Sequence, residues 1–327
     1  MNGVKDIDWK PLALVPLLAL IVLPFIGSGS TWVTLTVAGL AMGMIIFIIA
    51  SGLTLVFGLM DVMNFGHGIF ITLGAFIATS VLAGMGDWTA SGELWRNLLA
   101  VLPAMLVAML VASAGGLAFE RFIVRPVYGN HLKQILITVG GAIIGEELIK
   151  VIWGPLQVPL PLPAGMRGTI FLGEAAIEKY RVIAVVVGLA VFGLLAWTLA
   201  RTKIGLLIRA GVQDREMVES LGYRINVLFI GVFVAGSALA GLGGVMWGLY
   251  LQNVTPQIGA QVNILIFIVL IIGGLGSTGG ALIGALLVGL LTNYAGFLAP
   301  KAALFSNIAL MMAILLWRPQ GVRGAGR

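Results

Sequence analysis

Long apolar stretches alternate with short polar ones along almost the whole chain. Residues 12–26, 182–199 and 227–251 contain no charged side chain. A helix needs roughly 20 mostly apolar residues to cross the hydrocarbon layer of a membrane, and these runs approach or exceed that length. Segments of about ten residues with alternating apolar and polar positions, which would indicate a transmembrane barrel, do not occur. The pattern predicts an all-α fold, a polytopic bundle of transmembrane helices.

The bundle is expected to have about 8–10 spans, some of them short or broken. The candidate spans cover residues 12–27, 33–58, 66–85, 98–120, 134–153, 182–200, 227–250, 262–275, 280–297 and 302–317. The eighth is short, which is typical of a broken or re-entrant element. Residues 24–26 do not fit the cleavage site of a secretory signal peptide, so the first span is expected to be retained. We expect residues 1–327 to form a single transmembrane domain.

Basic residues distinguish the two sides of this predicted domain. If the N-terminus is cytoplasmic, thirteen of the 19 Lys and Arg residues lie inside and six outside, as the positive-inside rule requires. An even number of spans then returns the C-terminus to the cytoplasm as well. The net charge of +6 is dispersed over positions that flank the membrane, which argues against a nucleic-acid-binding surface.

The residues available for catalysis are few. The chain has no cysteine and two histidines, so a disulfide or thiolate metal site is excluded and no metal site is expected. No nucleophile with a neighbouring base can be recognised, and no phosphate-binding G-x-x-x-x-G-K-[ST] motif occurs. We therefore do not expect an enzyme.

A glycine-rich stretch at 273–280 is a candidate for lining a translocation path. Gly274, Gly276 and Gly279 spell G-x-G-x-x-G, but no acidic residue follows Glu219 to hold a ribose, so nucleotide binding is rejected. The stretch is instead interpreted as a break between two short membrane helices. Non-helical backbone at membrane depth is tolerated only inside protein or along a cavity.

A second unusual stretch covers residues 51–74. Asp61, Asn64 and His67 recur at intervals of three, which on a helix would place them on one face. Gly66 and Gly68 interrupt that helix. Two interpretations stay open: the polar groups cap helix ends at a turn, or Asn64, Gly66, His67 and Gly68 line the translocation path.

Glu146, Glu147 and Lys150 form a dense ionisable cluster inside a predicted span. Charged residues at membrane depth are costly unless they are paired or face water. The cluster is an intramembrane ion pair or, alternatively, a site that handles protons or cations.

The polar loop at 201–226 carries both charge signs and is expected to be cytoplasmic. Two apolar stripes predict a short amphipathic helix that continues beyond a charged turn; their members are Ile204, Leu207, Ile208 and Val212, followed by Val218, Leu221 and Ile225. A helix lying on the membrane surface would explain the stripes. The mixed charges and Gly222, just before the next span, favour contact with a soluble partner.

Three segments, in this order, resemble a known family. Residues 52–76 (GLTLVFGLMDVMNFGHGIFITLGAF) resemble the N-terminal signature of LivH-type permeases of branched-chain amino-acid ABC importers. Residues 210–248, which begin AGVQDREMVESLGYRINV, are similar to the coupling loop and following helix of that family. Residues 272–291 (IGGLGSTGGALIGALLVGLL) resemble its glycine-rich C-terminal segment, and the likeness extends over most of 35–320.

The resemblance implies a permease subunit, in the bacterial cytoplasmic (inner) membrane, that moves branched-chain or other hydrophobic amino acids. Its implied partners are a second, LivM-type permease subunit, two ATP-binding cassette subunits and an extracytoplasmic substrate-binding protein. ATP would be used by those partners, and this chain would bind no cofactor. Ala210, Asp214 and Gly222 match the coupling pattern of the family, and Arg215 and Glu216 are further candidates for coupling to the ATPase.

Departures from the family pattern at 218 and 223 bear on the fit to the ATPase, and those at 146 and 147 leave the cargo open. Val218 replaces the usual Ala and Tyr223 the usual Ile or Val, while Glu146 and Glu147 replace Gln or Asn. Urea, short amides or aromatic acids are alternative cargoes. A proton-coupled secondary transporter, working through Glu146, Glu147 or Asp61, is the alternative mechanism.

Overall fold

A computed structural model describes residues 10–323. Within that range the chain forms thirteen α-helices, and their bounds are α1 (Leu14–Ile26), α2 (Gly29–Met60), α3 (His67–Ala83), α4 (Gly86–Ala90), α5 (Leu94–Phe119), α6 (His131–Trp153), α7 (Lys179–Arg201), α8 (Lys203–Gln213), α9 (Arg215–Ser220), α10 (Ile225–Leu251), α11 (Ile258–Gly273), α12 (Thr278–Leu298) and α13 (Ala303–Trp317). The ten candidate spans coincide with these helices, apart from the short α4, α8 and α9. The predicted helical membrane fold is confirmed.

Five of the helices are long and apolar enough to cross a membrane, namely α2, α5 with its extension to Val127, α7, α10 and α12. Shorter apolar helices include α1, α3 and α11. The chain is therefore a multi-pass membrane protein. Helix α6, with 23 residues, is not among the five, because three or more charged residues fall in each full-length window along it.

Two small antiparallel pairs of strands were not predicted. Strands β1 (Val158–Pro159) and β4 (Asn253–Val254) pair across the chain, and β2 (Thr169–Leu172) and β3 (Ala175–Glu178) form a hairpin with Thr169 opposite Glu178. All four lie in connections between helices. They are too short to give a hydropathy pattern distinct from that of a loop.

The connections gather at two ends of the bundle. One, called here the α8–α9 end, also holds the end of α2, the start of α6 and the turn between α11 and α12, since Asp61 pairs with His131 and Gly58 touches Gly276. The other, the hairpin end, holds the β2–β3 hairpin and the start of α5, whose Asn97 accepts a hydrogen bond from the backbone of Gly165. The long helices connect these two ends.

The central contact is the crossing of α2 and α10. A Cβ placed on Gly236 would lie 2.7 Å from the carbonyl oxygen of Gly52, and one placed on Gly52 would lie even closer to the carbonyl oxygen of Gly236. Ile49 lies against Gly243, so the pairing runs antiparallel. Gly236, Ala240, Gly244 and Gly248 recur every four residues along α10 and form a packing surface. Most of α2 between residues 38 and 56 is buried in this core.

The helices fall into two halves related by a pseudo-twofold axis. Helices α2 and α10 both end at a non-glycine residue with positive φ, Asp61 at 51° and Gln252 at 57°. At the same interval after each, a short helix begins, at His67 and Ile258. Helix α5 packs on α10 as α12 packs on α2, while α6 contacts α3 as α13 contacts α11. Because α2 and α10 are antiparallel, the two halves have inverted topology.

Helices α3 and α11 start inside the bundle and meet there. A Cβ on Gly68 would lie 2.7 Å from the carbonyl oxygen of Gly259, one residue into each helix. Helix α3 has 17 residues and reaches the hairpin end, whereas α11 has 16 and reaches the opposite end. At 1.5 Å per residue each is about 25 Å long, so their starts lie at membrane depth. The eighth candidate span is therefore a short helix that begins inside the bundle, as its length indicated.

Replacing Gly236 with Ala should destabilise the protein by about 1–3 kcal/mol, because the added methyl group overlaps the backbone of α2. Gly231→Ala, on the same helix, is the matched control, since a Cβ there would meet nothing within 4 Å. Thermal unfolding of both variants in detergent measures the difference. Equal melting temperatures would contradict the proposed importance of the crossing.

Candidate functional site

The loop at 201–226 forms two helices, α8 and α9, rather than one. Asp214 lies between them in an extended conformation, with φ −151° and ψ 99°. Its carboxylate Oδ1 accepts a hydrogen bond of 2.9 Å from the backbone N–H of Met217. Asp214 is thus the N-cap of α9, because a short polar side chain satisfies a free N–H of the first turn. This local bond competes with a continuous helix.

Gly222 ends α9. Its φ is +87°, and the backbone N–H of Tyr223 bonds to the carbonyl of Val218 while that of Gly222 bonds to Glu219. This pair of bonds is a Schellman motif, which needs a left-handed residue at the position of Gly222. The space beside the Cα of Gly222 is open, since an added Cβ would meet nothing within 4 Å.

One side of α8 and α9 packs against the ends of two core helices. Val218 joins Ile225 and Phe229 of α10 in a buried cluster, against which Met60 of α2 and Ala210 of α8 also pack. The helix pair is therefore mechanically connected to both helices of the central crossing.

The other side is open to solvent. Leu221 is 67% exposed, and Met217 and Tyr223 are about half exposed. Of the predicted stripes, Ile208 is buried but Ile204 is exposed, because α8 turns a different face to the bundle from the one its spacing indicated. Glu216 is exposed as well, while the side chain of Arg215 lies outside what the structure describes.

The stretch at 61–66 is non-helical and separates the three residues that a helix would have aligned. Asp61 lies at the α8–α9 end, 3.6 Å from the imidazole of His131. Asn64 and His67 are buried, and Asn64 Oδ1 accepts a hydrogen bond from the N–H of Gly66. His67 Nε2 lies 3.2 Å from the carbonyl of Ile49. This geometry is that of a helix-ending turn; a part in a translocation path stays a prediction.

Side chains from two other helices satisfy the backbone of this stretch. Gln134 and Thr138 of α6 accept hydrogen bonds from the N–H groups of Met63 and Phe65. Asn263 of α11 donates one of 3.1 Å to the carbonyl of Phe65. Sequence reasoning missed all three, although each is a polar residue isolated in an apolar span. Such residues are the expected partners of non-helical backbone in a membrane.

The buried polar groups here are incompletely paired. Among side chains in the described part of the chain, Asn64 Nδ2, His67 Nδ1 and Asn263 Oδ1 are buried without a hydrogen-bond partner. An unpaired buried polar atom costs about 1–3 kcal/mol. The region where α3 and α11 begin is therefore stabilised less than the apolar core around it.

The glycine-rich stretch lies at the α8–α9 end and not at the middle of the membrane. Gly274 and Gly276 have positive φ in the turn between α11 and α12. Gly276 lies against Gly58 near the end of α2, and Gly279 lies against the guanidinium of Arg323. The N–H groups of Val322 and Arg323 bond to carbonyls of Ile272 and Gly273. Whether these glycines line a path stays a prediction.

Glu146, Glu147 and Lys150 lie together near the hairpin end of α6. Lys150 Nζ is 2.9 Å from Glu146 Oε1 and 2.8 Å from Glu147 Oε1. Gln257, just before α11, donates a 3.1 Å hydrogen bond to Glu146 Oε1. The cluster is not sealed inside the protein, because the side chain of Glu147 is 63% exposed. It joins one helix from each half of the bundle.

A cavity of about 460 Å³ opens beside the core at the hairpin end. Its lining includes Met42, Trp247, Tyr250, Asn293 and Phe297. None of the residues singled out from the sequence for a translocation path contributes to it.

Comparison with known proteins identifies the family. Residues 35–316 match the model of the branched-chain amino acid transport system permease component. The chain belongs to this permease family. The matched range extends from α2 to the last helix, so it includes the α8–α9 pair, the central crossing and the Glu146 cluster.

Individual relatives agree with this assignment. The chain is 31% identical to the high-affinity branched-chain amino acid transport system permease protein BraD of Pseudomonas aeruginosa, over 88% of this chain and 94% of the relative. It is 27% identical to LivH of Escherichia coli, over 88% and 93%. A probable LivM permease of Methanocaldococcus jannaschii is 23% identical over 73% and 75%. No solved structure gave a significant match.

Asp214→Ala should unfold the first turn of α9, because it removes the cap at a cost of about 1 kcal/mol. Asp214→Asn keeps an oxygen at the same position and should leave the helix intact. Hydrogen exchange of the backbone amides of residues 216–218 distinguishes the two variants. Equally fast exchange in both would show that the negative charge, and not the cap, orders this turn.

Proposed function

We propose that this permease is the membrane subunit of an ABC importer for branched-chain or other hydrophobic amino acids, driven by separate ATPase subunits. The observation that carries the proposal is the match of residues 35–316 to the permease family. Relatives that cover most of the chain are named high-affinity branched-chain amino acid transport permeases. Cargo of the same class is the simplest inference for this chain.

The proposed contact with the ATPases is the exposed side of α8 and α9. It combines the apolar side chains of Met217, Leu221 and Tyr223 with the charged residues Asp214 and Glu216. Ala210 lies in α8, Gly222 ends α9, and Arg215 belongs to the same coupling segment, 201–226. A mixed apolar and charged patch on a short helix pair is typical of a surface that docks into a protein groove.

The energy of transport would come from those partners. The sequence has no phosphate-binding loop of its own, so ATP would be bound and hydrolysed by two ATP-binding cassette subunits. In this proposal the chain is a transport subunit and not an enzyme, and it binds no cofactor.

Packing gives a route by which ATPase movement would reach the membrane. A shift of α9 moves Val218, which packs with Phe229 of α10 and Met60 of α2. Those helices cross at Gly52 and Gly236 and move as a pair, because the contact is between backbones. The C-terminal ends of the two helices lead into α3 and α11: α2 through Asp61, next to Met60, and α10 through Gln252, at the hairpin end. Tilting the pair would therefore displace the two helix starts inside the membrane.

The distribution of basic residues supports the proposed orientation. Of the basic side chains that the structure describes, nine lie at the α8–α9 end and six at the hairpin end. By the positive-inside rule, this distribution supports a cytoplasmic location for the α8–α9 end. We assign the chain to the bacterial cytoplasmic (inner) membrane, with both termini cytoplasmic. The hairpin end would face the extracytoplasmic substrate-binding protein.

A second permease subunit completes the proposed complex. The family includes LivH and LivM types, and this chain has relatives of both. The LivH-type relatives are matched over more of their length, which favours a LivH-type role beside a LivM-type partner.

No nucleic acid is involved in this proposal. Urea, amides or aromatic acids remain alternative cargoes, and a proton-coupled carrier is the alternative mechanism.

Affinity purification of the tagged chain from its native membranes should recover P-loop ATPases. Leu221→Arg should reduce that recovery by about tenfold or more, since it places a charge in the proposed contact. Phe171→Arg is the matched control, because Phe171 is 70% exposed on the hairpin at the opposite end. Absence of ATPases from the unmutated sample would overturn the importer assignment.

Uptake of leucine by cells that express the complete transporter should stop with vanadate and persist with a protonophore while cellular ATP is maintained. ATP hydrolysis is the expected driving force, whereas a carrier would depend on the proton gradient. Unlabelled isoleucine and valine should compete, and urea and benzoate should not. Uptake abolished by the protonophore at constant ATP would favour the carrier.

A further inference from the structure

Helices α6 and α11 together expose a continuous set of polar side chains within the membrane domain. Its members, called here the α6–α11 polar face, are Glu146, Glu147, Lys150, Gln257 and Gln261. Gln257 and Gln261 are one turn apart at the start of α11 and are both exposed. Gln257 bonds to Glu146, so the two helices contribute to one surface.

The α6–α11 polar face lies at membrane depth, away from the ends of the two helices. Glu146 is seven residues before Trp153, the end of α6, which corresponds to about 10 Å along the helix. Gln261 is twelve residues before the end of α11, about 18 Å from the α8–α9 end. Exposed carboxylates and amides at such depths are unfavourable against lipid, and charged residues there face protein or water.

Helix α6 itself is weakly packed in the subunit. Only Gln134, Thr138, Gly141 and Ile149 are buried among its 23 residues. Its outward side carries large apolar residues, including Leu136 and Ile143, nearer the α8–α9 end. A helix with one narrow buried strip and a charged outward edge is suited to contact another protein on that side.

The charge of the cluster indicates a substrate class. Two carboxylates share the single ammonium group of Lys150, which leaves one negative charge in excess. An excess carboxylate attracts the ammonium group of an amino acid, while Lys150 lies beside it to attract the carboxylate. A neutral amide gains little from such a site, and an aromatic acid anion is repelled.

We infer that the α6–α11 polar face lines the water-filled pathway between this chain and the second permease subunit, and that its excess negative charge receives the ammonium group of the amino acid. The role as a pathway between two permease subunits rests on the proposed function. The exposure to water and the local negative charge are properties of this chain alone. They can be measured whether or not ATPases are recovered.

Single cysteines can test this directly, since the chain has none of its own. In the assembled transporter in native membranes, Gln261→Cys should react with charged, membrane-impermeant methanethiosulfonate reagents applied from outside. Val186→Cys and Leu110→Cys are the controls, because both positions are exposed on apolar helices at membrane depth. Those two should be unreactive, since a thiol in lipid does not ionise.

The charge of the face is read from two reagents of opposite sign. The ratio of the reaction rate of the cationic reagent to that of the anionic reagent should be higher at Gln261→Cys than at Ser91→Cys, a half-buried position in the connection before α5. Adding Glu147→Gln should lower that ratio by roughly threefold, as expected for a unit charge near the thiol. Adding Glu178→Gln should not, although Glu178 forms a comparable ion pair with Arg181 at 2.9 Å.

Reaction at Gln261→Cys that is no faster than at Val186→Cys would overturn the water-filled pathway. A ratio unchanged by Glu147→Gln would overturn the ammonium-receiving role. If no ATPase is purified with the chain but the expected reactivity is observed, the importer assignment fails while the pathway on this face stands.

Discussion

The structure depends on two helix backbones approaching each other closely in a medium that does not drive them together. Lipid is as apolar as leucine, so α2 and α10 associate through dispersion and backbone contacts, which require small side chains at the crossing. Gly52 and Gly236 provide them. The other principal contacts follow from this one, because α5 and α12 pack on the outer sides of the crossed pair and α3 and α11 continue from its ends.

The same arrangement has its least favourable features where α2 and α10 lead into α3 and α11. Asp61 and Gln252 adopt positive φ without being glycine, which costs roughly 1–2 kcal/mol each. The starts of α3 and α11 bring together buried polar atoms that lack partners in the described chain. Segments that move are drawn from the less stable parts of a protein. The region between the two halves is therefore the part of the bundle that the proposed coupling helices can displace at lowest cost.

Much of this fold could be predicted from hydropathy, because a helix crossing lipid needs a long apolar run and each run is visible by itself. The α8–α9 segment was also recognisable, but its division into two helices was not. An Asp at position 214 can lie within one continuous helix or cap the start of a second one, and the sequence does not distinguish the two. The positions of 274–279 and 61–66 could not be inferred. The depth of each stretch in the membrane depends on which helices it contacts, and those contacts are distant in sequence. Residues 274–279 contact Gly58, and residues 61–66 bond to Gln134 and Asn263. The inverted repeat escaped notice because it preserves backbone geometry more than residue identity.

Close packing at the centre also bears on where substrate could pass. Gly68 and Gly259 leave no room for even one additional methyl group between α3 and α11, and His67 is fully buried beside them. A leucine side chain cannot cross the subunit at that point unless the two halves separate, which would break the contact that holds them. A passage between two permease subunits avoids this conflict, since the crossing can tilt as a unit and widen a space outside it. On this argument the glycines near His67 serve to transmit movement, and the polar residues that meet the substrate belong on the surface of the subunit.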